Sequence, residues 1–285
     1  MIAFVILHYQ AIEETKDCVR AIKQHISTNK KIIIVDNHSP NKSGADIQKL
    51  YIDDLEVEVL LLESNMGFAK GNNLGYKAAK KYSPDYVVVM NNDVFIERNR
   101  LEEQLDASYK QYSFDILGPD IYSTRDNTHQ NPQKMSNFSY KSLKSQYSIL
   151  KIKNRLRFFV RIKYLLPFLK HGKQIKKEFL NEPIENVVLH GACYIYSKKF
   201  ILNHDCCLYD GTFMYYESYI LHLLANREGL KLLYDPRIKV LHHEDVATDM
   251  TFGKKYSKAV FTNKCLLDSC GIFINILKDE KIRIG

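Results

Sequence analysis

The chain has 285 residues, with 41 Lys+Arg against 33 Asp+Glu, a formal net charge of +8, 45% hydrophobic and 26% charged residues. That composition excludes a disordered or collagen-like chain and is long enough to bury a full core. Twelve of the cations and a single acid, Glu178, fall in residues 141–180, so the rest is slightly acidic, which speaks against a uniformly basic nucleic-acid binder.

The N-terminus, MIAFVILHYQ, has no basic leader and no small-residue cleavage site, so it is expected to be a first strand in a protein that stays inside the cell. No apolar run approaches the roughly 18–20 residues that cross a bilayer, and none is expected to span one. Cys18, Cys193, Cys206, Cys207, Cys265 and Cys270 form no CxxC pair, and reduced thiols are the default.

Continuous apolar, β-branched runs at residues 3–7, 32–35, 57–62 and 86–90 alternate with stretches of helical period at 13–25, 45–51 and 72–81. Such a rhythm predicts an α/β fold with a mostly parallel, Rossmann-like sheet covered on both faces by helices. Right-handed crossovers then bring the loops after each strand to one edge, where open α/β sheets bind ligands. Those loops are polar: His8-Tyr9-Gln10, Asp36-Asn37-His38-Ser39, Ser64 to Asn73 with Gly67 and Gly71, and Asn91-Asn92-Asp93. The GxGxxG dinucleotide fingerprint is absent.

A short strand at 116–117 precedes Gly118-Pro119, and 119–140 is polar and turn-rich, as a loop would be. Lys and Arg then interleave with Leu, Ile and Phe through 141–180, a composition suited to an anionic membrane surface. Residues 187–196 predict paired strands about Gly191, 213–227 a helix, 231–234 and 238–241 two strands, and the tail from 254 one or two helices. The expected divisions are 1–118, a nucleotide-binding half; 119–183, a polar loop and basic helical insertion; 184–250, an acceptor-side half; and 251–285, a helical tail.

The strings IIIVDNHSPNKSG, NMGFAKGNNLGY, VVVMNNDVFI, LHGACYIYSKKF, FMYYES and VLHHEDVAT together resemble the family 2 glycosyltransferases, in particular a bacterial rhamnosyltransferase-like branch that builds surface polysaccharides. The resemblance runs in order over about residues 2–250. It implies a GT-A type fold with a C-terminal acceptor-side half, a UDP- or dTDP-sugar donor, a glycan or lipid-linked acceptor and inverting transfer, with a non-catalytic sugar-nucleotide or glycan-binding scaffold and a nucleotidyltransferase as alternatives. The basic segment adds an expected place at the cytoplasmic face of the inner membrane, and the slightly acidic balance elsewhere speaks against nucleic acid. Residues 141–180 would supply the membrane contact.

The same resemblance implies roles. Asp36 would meet the nucleotide base beside His8 and Tyr9, with Asn37 and Ser39 in the same loop. Gly67, Lys70 and Asn73 would approach the diphosphate, as would Asn92 and Asp93 in the place of the family's DxD-like motif. Asp93 and His242 would hold Mg2+ or Mn2+, and His190 and Gly191 would line the donor sugar. Glu217 would be the catalytic base, with Asp210 and Glu244 as alternatives. One departure is plain: Ser218 stands where the family commonly has a second acid.

Overall fold

The computed structural model describes residues 1–97, 100–134, 138–156, 179–243 and 255–285. Its strands are β1 (Ile2–His8), β2 (Lys30–Asp36), β3 (Val57–Leu61), β4 (Tyr86–Asn91), β5 (Val94–Ile96), β6 (Ile116–Ser123), β7 (Thr128–His129), β8 (Ile184–Glu185), β9 (Cys193–Ser197) and β10 (Leu232–His242). Its helices are α1 (Ile12–His25), α2 (Ser43–Leu50), α3 (Gly67–Lys80), α4 (Leu101–Tyr112), α5 (Tyr140–Arg155), α6 (Lys198–Asn203), α7 (Glu217–Arg227) and α8 (Lys255–Lys278).

All ten strands join one mixed sheet in the order β3-β2-β1-β4-β9-β6-β10-β5, with β7 beside β6 and β8 beside β10. β3, β2, β1 and β4 are parallel, β9 is antiparallel to β4 and β6, and β6 is parallel to β10. β9 and β10, which come from the expected acceptor-side half, therefore lie in the same sheet as the nucleotide-binding half. The apolar runs of β1, β2 and β4 are continuous because both faces are covered. Ala3, Val5, Ile33 and Val89 pack with Ala69, Tyr76 and Tyr194 on one face, and Phe4, Ile6, Ile34 and Met90 with Cys18, Val19 and Ile22 on the other.

Helix α3 lies close on β1 and β2 because of glycine: a Cβ at Gly75 would come within 2.3 Å of a Val5 methyl and 2.8 Å of a Val35 methyl. The helix starts at Gly67, five residues before the expected boundary, so Lys70 and Asn73 are helical and not in a loop. The paired strands expected over 187–196 are not formed. Only β9 is a strand, because the backbone N–H groups before it go to side chains, His190 N to Asn131 Oδ1 and Ala192 N to His190 Nδ1. The two short strands expected at 231–241 are one strand, β10, with an irregularity between Asp235 and Lys239. The supposed loop after Gly118 begins as strand: β6 runs on to Ser123, and β7 folds back on it.

The expectation that no segment is long and apolar enough to span a membrane is corrected by residues Tyr256–Lys278, which pass on length and composition. Lys258, Lys264 and Asp268 interrupt the run without polarising the whole helix. This helix packs against α5, and its Cys270, Phe273 and Ile276 are buried with Leu143 and Leu150 of that helix.

Strand register assembles the working edge. His8 pairs with Asp36, Leu7 with Asn91 and Asp36 with Leu61, so four parallel strands end together. β10 runs between β6 and β5 with His242 opposite both Ser123 and Val94. That register brings the end of β10 to the Asn92-Asp93 turn.

Candidate functional site

The centre of the edge is the pair Asp93 and His242, both buried. Asp93 occupies the turn between β4 and β5, and its backbone carbonyl accepts from His243 N at 2.9 Å, which ties the turn to the end of β10. His242 Nε2 lies 3.3 Å from Asp93 Oδ1, within ion-pair distance, yet among the described residues that oxygen accepts no hydrogen bond. On the other side of the ring, His242 Nδ1 lies 2.7 Å from Gln130 Oε1. A buried carboxylate oxygen without a donor is costly unless something positive completes it. The residues present fit a divalent ion: one carboxylate and one imidazole nitrogen converge, with diphosphate and water left to supply the remaining oxygens. Among the described residues no group of three or more His, Cys, Asp or Glu could hold a metal, so this is a two-ligand arrangement.

His190 is next to this pair, its ring centroid 6.1 Å from that of His242. Gly191 follows, and a Cβ there would touch nothing closer than Ser218 Oγ and Tyr194 OH, both at 3.6 Å, with Phe68 at 3.9 Å. The space is bordered by hydroxyls and one aromatic edge. Ser218 Oγ and Tyr194 OH bond to each other at 2.9 Å. The position where the family commonly carries a second acid thus presents a hydroxyl to this space.

Glu217 opens α7 behind two residues with left-handed backbone, Tyr215 (φ 75°) and Tyr216 (φ 68°). Left-handed backbone is uncommon for residues with a Cβ and is held here by contacts on all sides. Phe213 O accepts from Phe68 N at 2.7 Å, Met214 O from Ser269 Oγ at 2.7 Å, and Tyr216 OH donates to Gln146 at 3.1 Å. Glu217 Oε1 accepts from Thr212 Oγ1 at 3.0 Å. Burial pushes its carboxyl up to about 7, against the opposing pull of hydrogen bonds from backbone and Thr212. Of the alternatives to it, Asp210 is exposed, and Glu244 lies outside the described residues.

Several of the residues expected to meet the donor form the joinery beneath the edge. His8 is fully buried, with Nδ1 2.7 Å from Thr15 Oγ1 and Nε2 2.8 Å from Ser43 Oγ, so neither ring nitrogen is open to a nucleotide. Burial, only partly offset by Asp36, lowers its pKa to about 4 and keeps the ring neutral. Asn92 donates to Thr15 Oγ1 at 3.0 Å and to Ala11 O at 3.3 Å, which anchors the Asn92-Asp93 turn to α1. Asn37 clamps the β2 loop to the start of α3, accepting from Met66 N at 2.8 Å and donating to Gly67 O at 3.1 Å. Asn73 is a pin for the distant 207–208 backbone: its amide donates to Leu208 O at 2.8 Å and accepts from Cys207 N and Leu208 N at 3.0 Å. All four side chains thus tie the loops of this edge to one another, Asn92 through its amide nitrogen.

Asp36 ends β2 as expected, but its carboxylate accepts from Ser39 Oγ at 2.5 Å and Ser39 N at 3.2 Å, and Gly44 leaves room for it. Ser39 Oγ also accepts from Gln10 N at 2.9 Å, so this serine is an organiser of the turn and not a free ligand. Tyr9 is partly exposed at the end of β1, and Lys70 is exposed on the first turn of α3. Gly67, with φ 79°, has no room for a side chain: a Cβ there would meet Phe213 O at 2.4 Å. Gln130, Thr212 and Tyr194 belong to the site without having been expected there. Gln130 and Thr212 lie outside the motif strings, Tyr194 falls within LHGACYIYSKKF without standing out there, and each is brought in by tertiary contact.

Comparisons with known proteins bear on the family and the fold. The family described as glycosyl transferase family 2 matches residues 3–200. A curated relative, the glycosyltransferase GlyG of Streptococcus pneumoniae serotype 4, is 28% identical over 102 residues, covering 36% of this chain and 33% of GlyG. The crystal structure of S. aureus TarS 1-349 is similar in fold, with TM-score 0.52 and 11% identity over 92% of this chain and 64% of that one. GalNAc-T7, crystallised with UDP, GalNAc and Mn2+, gives TM-score 0.53 and 12% identity over 86% of this chain and 43% of that one. The chain therefore spans about a third of the curated relative and less than two thirds of the TarS structure. The sheet is that of the GT-A glycosyltransferases, and with the family match running from β1 through β9 and into α6, the chain belongs to glycosyl transferase family 2.

Proposed function

We propose that this protein transfers a sugar, of hexosyl or rhamnosyl type, from a UDP- or dTDP-sugar to a glycan or lipid-linked acceptor in the synthesis of a cell-surface polysaccharide. The observation that carries the proposal is the unpartnered Asp93 Oδ1 facing His242 Nε2 at the carboxyl edge of the sheet. Mg2+ or Mn2+ held by these two atoms would neutralise charge on a leaving diphosphate. A fold neighbour crystallised with UDP, GalNAc and Mn2+ supports the ligand class.

In the reaction, the acceptor oxygen bonds to the anomeric carbon as the bond from that carbon to the diphosphate oxygen breaks. The nucleoside diphosphate leaves from the opposite face, which inverts the centre. The acceptor proton passes to Glu217, whose raised pKa suits a general base near neutral pH. Ser218, Tyr194 and Gly191 border the space offered to the sugar.

A thermal-shift screen of UDP-, dTDP- and GDP-sugars with and without Mn2+ tests the donor and the metal together. One UDP- or dTDP-sugar should raise the melting temperature only with Mn2+; at about 100 times its dissociation constant it stabilises by roughly 2.7 kcal/mol. No shift with any donor would refute the reading. A second reading, a binding scaffold that has lost its base, is favoured by the hydroxyl pair of Ser218 and Tyr194 where a second acid would be.

The basic segment supports a place of action at a membrane surface. We infer peripheral attachment at the cytoplasmic side of the inner membrane through residues 141–180, of which 157–178 lie outside the described residues. Helix α5 supports this reading with exposed Ile149, Ile152 and Leu156 among Lys151, Lys153 and Arg155. Binding to anionic vesicles should weaken steeply with added salt, and equal partition at low and high salt would refute the attachment.

A further inference from the structure

His8 and His242 are both buried at this edge, and they are wired differently. His8 has both ring nitrogens engaged by protein hydroxyls. His242 has one engaged, by Gln130 Oε1, while the other faces a carboxylate oxygen that accepts no hydrogen bond. An amide oxygen only accepts, so His242 Nδ1 must carry the hydrogen that it directs at Gln130. In the neutral ring that leaves the lone pair on Nε2, pointed toward Asp93 Oδ1 at 3.3 Å.

We propose that Gln130 is a positioning residue for the metal: it fixes the His242 tautomer and ring orientation so that Nε2 and Asp93 Oδ1 present two lone pairs to one cation. This rests on the metal-dependent reading above. Histidine ligands characteristically donate their second N–H to such an acceptor, and loss of that partner typically costs 10–100-fold in metal affinity.

The surrounding hairpin is built to hold Gln130 in place. Its backbone N–H donates to Ile121 O at 2.8 Å, and its neighbours are fixed on both sides. His129 Nδ1 donates to Asp120 Oδ1 at 2.8 Å, and Asn131 donates to Pro119 O at 2.8 Å while accepting from His190 N at 3.0 Å. Thr124 N donates to His242 O at 3.0 Å, which locks the same hairpin to the strand that carries the ligand. The contact thus joins two elements already in register, so the side chain spends its reach on orientation.

The test is Mn2+ titration of the full chain in the presence of UDP, followed by electron paramagnetic resonance of free Mn2+. Gln130→Leu should weaken Mn2+ binding 10–100-fold, Gln130→Glu should restore or tighten it, and UDP binding measured without metal should stay as in the parent. Gln130→Asn, which withdraws the acceptor but stays polar, serves if the leucine variant does not fold. Imidazole nitrogen NMR of the metal-free protein gives a second readout. The His242 signal should report Nδ1–H in the parent and shift toward Nε2–H in Gln130→Leu. Parental Mn2+ affinity in folded Gln130→Leu, or an unchanged tautomer, overturns the proposal while leaving the site intact, provided His242→Ala abolishes binding. A parent that binds no Mn2+ overturns the metal-dependent reading itself.

Discussion

Asp93→Asn should lower donor turnover by roughly 10³-fold, about 4 kcal/mol, the size of effect seen when a site loses one electrostatic stabiliser of developing charge. Mn2+ should cease to stimulate the variant. The fold should not suffer: Asp93 Oδ1 has no donor, and the amide can offer an N–H to His242 Nε2, which lies 3.3 Å from that oxygen. Metal-free Asp93→Asn is therefore expected to melt at or above the parent temperature while losing Mn2+-dependent donor binding. The opposite pairing, a destabilised protein with parental metal response, would mean that this carboxylate serves packing and that the ion binds elsewhere. The measurements are nucleoside diphosphate release with and without Mn2+ and thermal melting of the metal-free protein.

The parallel half of the sheet was legible because strands covered on both faces are apolar without alternation, and β1, β2 and β4 have that pattern. Helix α4 was not, since it buries only Leu101, Leu105 and Ser108, too narrow a stripe to announce itself. β5 is three residues long and is defined by its partner β10. At the site, the resemblance led to Asp93 and His242, and the register of β10 against β5 is what unites them.

Asn37, Asn73 and Asn92 show a second use of polar residues at the carboxyl edge, since buried amides are also how a protein ties its loops to one another. Asn73 reaches Cys207 and Leu208, a link that no local pattern foretells. Gln130 was invisible for the converse reason. A glutamine in a turn-rich stretch has neither charge nor period to distinguish it, and its meaning comes only from His242, 112 positions away.

Glu217→Gln separates the enzyme from the scaffold. If Glu217 takes the acceptor proton, the variant should lose about 10²–10⁴-fold in kcat while keeping donor affinity, because the amide preserves shape and the hydrogen bond from Thr212. The pH dependence adds a signature that a structural role would not produce. With the carboxyl pushed up to about 7 by burial, parental kcat should rise through that pH as the base ionises, whereas the residual rate of the variant should lack that step.

Stability should move the other way. The folded protein holds this proton up to about pH 7, while the unfolded chain releases it near the ordinary carboxyl value of 4.5. Between those values the unfolded state carries fewer protons, so the contribution of Glu217 to stability falls as pH rises and levels off above 7. Glu217→Gln removes that dependence and should be more stable than the parent above neutrality. Ser218→Asp completes the comparison by restoring an acid beside Tyr194. A rise in turnover in Ser218→Asp, together with parental behaviour in Glu217→Gln, would assign the base to the vacant second position and make the natural chain a binder of sugar nucleotides. A deep loss in Glu217→Gln, with no gain from Ser218→Asp, assigns the proton to Glu217.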